Sequence, residues 1–464
     1  MLSIDQVMHY AQADARLALE IYLRQSELVY DPALVDWECR ALYEYCLMAA
    51  RSIRLNTPYV EQYLGTLRQK RAIIVERLRK DGLASPRNAK ARAHYVYETK
   101  GVPLPVWSPR SYHFTRAGRR RLRENPTRPI TFNDLSTNSQ VIDVYLAENS
   151  PYRDALHDLA AFQEVDWLIS ALEGLLEHAV LDGRLHSLVT IATDTGRRAS
   201  SNPHLQNWKM PEMAGVAIGD DGFTLVEIDY RNAENVMAAL ISADKALAAA
   251  CSTYDFHATM AARYFGAEWE HADIEQRKRL RGYSKRITYG TNYGMGAESL
   301  ALSLGVTKNA AIRWIQAKDR AFPKVTRMRY SAQRQAQQTS QLTLWTGRVI
   351  SVPSPFVAWN YLCQGGVAEV LKRAIVVLSE AFRAHGMRSR VALDMHDALI
   401  LELAHDEWDT ALVLASEIMS GITPQSLHDA TGTPLRWSAA PDLSENRRKW
   451  GATQHHPILV ENTN

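Results

Sequence analysis

An α+β fold is predicted, with helical arms around a small antiparallel sheet, and three observations carry the prediction. Apolar residues recur at helical spacing over residues 37–80 and 152–180, and again over 232–305 and 308–338. Runs rich in β-branched and aromatic residues are short and far apart, so long connections must bring those strands together. One of these runs ends in an aspartate, and another is followed closely by one. At 464 residues the chain holds roughly two to four folding units and can bury a sizeable core.

Taken in order, residues 37–80 carry two periodic stretches, with Leu42, Tyr45, Cys46 and Ala49 in the first and Tyr63, Leu64 and Leu67 in the second. Asn56-Thr57-Pro58 breaks them apart. Asp81-Gly82 and Ser85-Pro86 mark a stop, and residues 101–109 form a Pro-rich loop. The helix over 152–180 ends at Asp182-Gly183. Strands are expected at 187–193 and 223–228, and later at 342–344, 348–352, 390–394 and 399–403. No internal repeat or low-complexity segment interrupts this pattern.

Hydrophobic residues at 46% and charged residues at 23% exclude wholesale disorder. No run approaches the roughly 18–20 apolar residues of a membrane span, and residues 1–4 open no signal peptide. A soluble cytoplasmic protein without a membrane partner is expected. The four cysteines, Cys39, Cys46, Cys251 and Cys363, are too scattered for a disulfide framework or a paired zinc site. The formal charge is only +3, from 54 basic and 51 acidic residues, yet its distribution is uneven. Residues 110–128 hold Arg110, Arg116, Arg119, Arg120, Arg121, Arg123 and Arg128 against Glu124 alone, and a second basic run spans 277–286. Such runs point to phosphate contacts when they flank a site.

Two carboxylates stand out. The strand over 223–228 leads directly into Asp229-Tyr230, and residues 391–402 look like a hairpin with His396-Asp397 at its turn. If the strands pair, Asp229 and Asp397 converge, and two carboxylates at one point call for a divalent cation. Oxygen-only ligands favour Mg²⁺, and a two-metal site would serve phosphoryl transfer. Arg281, Lys285, Tyr289 and Tyr293 recur every four residues, drifting about 40° per step into one slanted stripe on a helix. A nucleoside triphosphate laid along it would place phosphates on the cations and the base at the tyrosines. Gly290 and Gly294, beside each tyrosine, suggest a bend or a close approach.

With these residues assembled, the chain resembles a DNA polymerase of family A, the DNA polymerase I type, over essentially residues 36–450. Asp194-Thr195-Gly196-Arg197 through Gln206-Asn207 is similar to the family's TGR…LQN segment, and Asp229-Tyr230 through Glu234 to its D-Y-S-Q-I-E motif. Arg281, Lys285, Tyr289-Gly290 and Tyr293-Gly294 match its fingers-helix motif. Asn360 through Gln364-Gly365 resembles N-x-x-x-Q-G, and His396-Asp397 resembles V-H-D-E. Weaker echoes are Ser85-Pro86, Thr115 to Gly118, Ser136-Thr137 and the closing Glu445-Asn446 with Trp450.

The resemblance implies a right hand: an exonuclease-like tail over residues 1–30, a thumb over 31–185 with a basic tip at 101–131, a palm from 186–245 and 341–464, and fingers over 246–340. It implies two Mg²⁺ held by Asp229, Asp397 and the carbonyl of Tyr230. Arg281 and Lys285 would bind the triphosphate, Lys285 would protonate the leaving pyrophosphate, and Tyr289 would face the nucleotide. Tyr293 and Gly294 would shape the template-base position, and Glu234 would be the gate against a ribose 2′-hydroxyl. Arg197, Gln206, Asn207, Gln364 and His396 would contact primer-template DNA. At the thumb tip Arg119, Arg120 and Arg121 would grip the duplex backbone.

Several positions depart from the family pattern. Arg231-Asn232-Ala233 replaces Ser-Gln-Ile, Gly282 stands where many relatives carry a second arginine, and Ala398 follows the second aspartate where they carry an acid. Tyr289 in place of Phe implies tolerance of nucleotides lacking a 3′-hydroxyl. The segment Tyr10 to Glu20, with Asp14, resembles the last helix of a proofreading exonuclease domain. With no residues before Met1 to supply its carboxylates, the expected activity is a monomeric, template-directed DNA polymerase that adds deoxynucleotides without proofreading. A separate exonuclease subunit or processivity factor would complete it. Alternatives are a single-subunit RNA polymerase, against which Glu234 argues, and an inactive DNA-binding scaffold, against which the four retained catalytic residues argue.

Overall fold

The computed structural model describes residues 4–26, 31–105, 113–146, 150–191, 193–207, 215–422 and 439–441. Its centre is a four-stranded antiparallel sheet in the order Ala439–Pro441, Phe223–Tyr230, Ala398–Ala404, Arg390–Met395. Period-two alternation splits these strands between two cores. Val226, Ile228, Tyr230, Leu399, Leu401 and Leu403 join one core, while Leu225, Leu393, Met395 and Ile400 join the other. With both faces covered, the strand Ala398–Ala404 is buried along its whole length. That double burial explains why its sequence reads as an unbroken apolar run apart from Glu402.

On one side lie the thumb helices. Thr57–Lys80 and Arg153–His178 contribute Leu64, Ile74, Leu159 and Ile169 to the second core. The long helix starts at Asn56, whose side chain accepts from the Tyr59 amide at 3.4 Å, with Pro58 in its first turn. At the tip, the helix Arg116–Glu124 is capped by Thr115, whose hydroxyl accepts from the Gly118 amide at 2.9 Å. A Cβ on Gly118 would stand 2.4 Å from the carbonyl oxygen of Asp134, so only glycine fits.

Helix Pro32–Arg51, grouped with the thumb by the sequence boundary, buries Ala41, Tyr45 and Met48 in the first core with the palm. The stretch over 232–305 is not one helix but a series, cut where Asp244, Asp255 and Asp273 cap the next segment. Pro323 similarly divides the stretch over 308–338 into Lys308–Ala321 and Pro323–Thr339. Helix Ala358–Ala384 closes the first core. Among the described residues no helix is long and apolar enough to cross a membrane.

Candidate active site

The hairpin register brings the two aspartates together. Asp229 lies directly opposite Ala398, and the Tyr230 amide donates to the carbonyl oxygen of Asp397 at 3.2 Å. Met395 pairs with Ala398, so the turn consists of His396 and Asp397 alone. His396 takes a positive φ of 59° to close it and lies exposed. The Tyr230 side chain is buried and donates to the Met419 carbonyl at 3.0 Å, so it offers the site its main chain rather than its ring.

The fingers helix Ile274–Asn292 starts with a capping box between Asp273 and Gln276, and its Tyr289 lies close enough to feel the charges of Asp397 and Glu234. Tyr293 is its C-cap, and the Schellman closure follows: the Gly294 amide donates to the Thr291 carbonyl at 3.2 Å and the Met295 amide to the Gly290 carbonyl at 2.8 Å. Gly294 has φ +79°, and a Cβ there would meet the Phe356 carbonyl oxygen at 2.7 Å. The stripe of four therefore holds three helical residues, and its last tyrosine turns off the end of the helix.

That turn places Tyr293 in a network. Its hydroxyl donates to Glu234 Oε1 at 3.1 Å and accepts from Gln364 Nε2 at 2.9 Å, and Arg197 Nη2 reaches the same Glu234 oxygen at 3.3 Å. Four residues from four separated segments thus meet in one chain of contacts. Gly366 enables the approach, because helix Ala358–Ala384 lies so close to the Glu234 helix, Ala233–Ser242, that a Cβ would stand 2.7 Å from Met237 Sδ. Arg197 Nε is buried without a partner.

Along the fingers helix, Arg281 Nε donates to Asp255 Oδ2 at 2.8 Å, while Lys285 is exposed. Burial, with Glu234 and Asp397 nearby, pushes the Tyr289 hydroxyl up to about 12. Against Tyr289, with ring centres 5.7 Å apart, stands His257, which sequence reasoning passed over. Burial together with the cations of Arg281 and Lys285 pushes its pKa down to about 4, so the ring is neutral. Its signal lay in Asp255-Phe256-His257, where a helix cap sets a histidine at the second position of the helix.

Other expected residues turn inward. Gln206 Nε2 donates to the carbonyl and carboxylate of Asp394, each at 3.3 Å, and its Oε1 accepts from the Ser200 amide at 3.1 Å. Asp394 is buried against Arg198, and burial raises its pKa despite that partner. Arg121 pairs with the buried Asp134 at 2.8 Å, leaving Arg116, Arg120 and Arg123 as the exposed arginines of that helix. Asn207 closes the 3-10 turn Leu205–Asn207. Arg110 and the closing 445–450 segment lie outside the described residues. Asp14 is exposed on the first helix, Ile4–Ser26.

The family model for DNA polymerase family A matches residues 119–435. The chain belongs to that family. DNA polymerase I of Chloroflexus aurantiacus is 27% identical over 448 residues, which covers 90% of this chain and 45% of that protein. The thermostable DNA polymerase I of Thermus aquaticus is 30% identical over 261 residues, covering 52% of this chain and 31% of that protein. The chain therefore spans less than half the length of these family A relatives. Among solved structures, the POL domain of Pol1 from M. smegmatis, in complex with DNA primer-template and dNTP, superposes with a TM-score of 0.71 at 21% identity. That match covers 87% of this chain and 69% of the solved one, and it shows the right-hand fold.

Proposed function

We propose that this chain is a template-directed DNA polymerase that adds deoxynucleotides to a primer 3′ end. One observation supports the reading: the strand register brings Asp229 and Asp397 to one end of the sheet, with Tyr289 of the fingers helix close enough to feel the Asp397 charge. The donor set is all oxygen, comprising two carboxylates and the Tyr230 carbonyl, which suits Mg²⁺. Two such ions, when bound, would acidify the primer 3′-hydroxyl and offset the charge of the leaving phosphate.

The chain's own residues supply the rest. Arg281 and Lys285 bind the incoming triphosphate, and for Arg281 the phosphate must compete with the Asp255 carboxylate 2.8 Å away. The O3′–Pα bond forms as the bond from Pα to the pyrophosphate oxygen breaks; the 3′-hydroxyl loses its proton to solvent water, and Lys285 gives a proton to the leaving oxygen and recovers one from solvent. Neutral His257 beside Tyr289 adds a hydrogen-bonding group without adding charge. Glu234, held by Tyr293 and Arg197, presents a fixed wall to the sugar. Arg197, with Gln364 and His396, meets primer-template, whose minor-groove acceptors scarcely differ between base pairs. A cavity of about 320 Å³ lined by Gly294, Met295, Tyr330 and Phe356 receives the template base. Arg116, Arg119, Arg120 and Arg123 hold the duplex phosphates. Proofreading is not part of this reading.

Primer extension with four deoxynucleotides tests it. Elongation to the template end should require Mg²⁺, stop with EDTA and resume when excess Mg²⁺ is returned. Duplex retained in a gel shift without any elongation would instead make the chain a scaffold.

A further inference from the structure

Two lysines are buried among the described residues, and they differ in one respect. Lys372 lies between carboxylates, 3.1 Å from Glu38 and 3.2 Å from Glu369. Lys318, on helix Lys308–Ala321, directs all its hydrogen bonds at neutral oxygens: Asn292 Oδ1 at 2.8 Å, Thr291 Oγ1, and the Thr288 carbonyl at 3.5 Å. Those acceptors form the last turn of the fingers helix, the turn that carries Tyr289 and leads into Tyr293.

A buried ammonium without a hydrogen-bonded carboxylate is costly, and an apolar side chain of similar size would pack there more cheaply. What favours the cation is its position, since the final carbonyls of a helix carry partial negative charge. The neighbouring Asp319 is already engaged by Arg329 at 3.0 Å and by the Thr326 hydroxyl at 3.2 Å, so it gives Lys318 only a distant counter-charge. Just past that turn, Tyr293 holds Glu234 and accepts from Gln364. The end of the fingers helix is thus held by two sets of hydrogen bonds, one at the proposed nucleotide pocket and one from Lys318.

We propose that Lys318 is a positioning residue for nucleotide selection: by clamping the last turn of the fingers helix it sets the place of Tyr289 and Tyr293 in the nucleotide pocket. The inference rests on the polymerase reading above. It assigns to the second layer of the fingers a role that depends on hydrogen bonds rather than on packing.

The test compares Lys318→Met with Asn292→Leu, which removes one acceptor and leaves the lysine, and with their double variant. Single-nucleotide incorporation gives KM for the deoxynucleotide and kcat, gel shift gives duplex affinity, and thermal melting reports folding. Both single variants should raise KM at least about fivefold, about 1 kcal/mol, with duplex affinity within about twofold. The double variant should be no worse than Lys318→Met alone, because both act through one contact. Folded variants with unchanged KM would overturn the proposal, as would equal losses in KM and duplex affinity. Lys318→Met failing to fold leaves Asn292→Leu to decide by the same criterion. A wild-type chain that binds duplex but incorporates nothing would overturn the polymerase reading itself, a result distinct from normal wild-type incorporation with indifferent variants.

Discussion

Glu234 shows how much a single carboxylate can be constrained. It begins the helix Ala233–Ser242, and both a tyrosine hydroxyl and an arginine converge on its Oε1. Removing it should open space where a 2′-hydroxyl would sit, so Glu234→Ala should raise the ribonucleotide-to-deoxynucleotide ratio of kcat/KM by at least about tenfold, about 1.4 kcal/mol. An unchanged ratio in primer extension would remove Glu234 from the gate. Its motif was legible because the residues proposed to bind a nucleotide are particular chemical types at fixed spacing. Arg197 and Arg198 mark where that legibility ends. Adjacent residues of an extended segment point to opposite sides, so Arg197 reaches Glu234 while Arg198 is buried against Asp394. Two identical letters in sequence gave no hint of that division. Nor was the burial of Asp394, inside an apolar strand, drawn from the sequence.

At the scale of elements, the strands over 223–230, 341–343, 349–351, 390–395 and 398–404 were readable to within a residue or two. The strand expected over 187–193 shrinks to Leu188–Thr190. Ile53–Leu55, Arg184–Leu185, Ala199–Ser201, Ala217–Ile218 and Ala439–Pro441, too short to show an alternating pattern, were missed. The fingers were less readable. Their periodicity continues across caps, and the Asp244, Asp255, Asp273 and Thr307 caps, the turns at Gly266, Gly294 and Gly305, and Pro323 divide it. Strand Arg390–Met395 is tied to the rest of the palm by the Asp394–Arg198 pair and Gln206. Asp394→Ala leaves Arg198 buried without its carboxylate and should cost about 3–5 kcal/mol in urea denaturation. A loss below about 1 kcal/mol would show that the sheet does not need the pair. Helix Lys308–Ala321 carries a pH signature. Burial lowers Lys318 from 10.5 to about 7, with Arg329 adding to the effect and Asp319 and Cys363 opposing it. The unfolded chain therefore keeps a proton that the folded chain loses between those values. Stability should rise with pH above about 7, by at most about 1.4 kcal/mol per unit, and the burial cost should be complete below it. Measured from pH 6.5 to 9, the gap in unfolding free energy between Lys318→Met and wild type should shrink as pH rises. Parallel curves would contradict the assignment.

Over the whole molecule, the palm sheet is the shared wall of two cores, thumb-side and fingers-side, and the two aspartates sit where it meets the fingers. The net charge of +3 is a cancellation. Exposed arginines gather on the thumb-tip helix and cations on the fingers helix, while Asp229 and Asp397 stand at strand ends. On the proposed reading the cations would hold phosphates and the two carboxylates a divalent metal. The charge map was visible in sequence, whereas the meeting of Arg197, Glu234, Tyr293 and Gln364 depends on long-range packing through Gly366 and Met237. The most direct measurement is single-turnover incorporation of one deoxynucleotide, with duplex and Mg²⁺ saturating, by wild type, Asp229→Asn and Asp397→Asn. Wild type should extend the primer, and each variant should lose at least about 10³-fold in rate while binding duplex within about threefold of wild type. Incorporation by either variant at the wild-type rate would contradict the claim that these two strand-end carboxylates carry the chemistry.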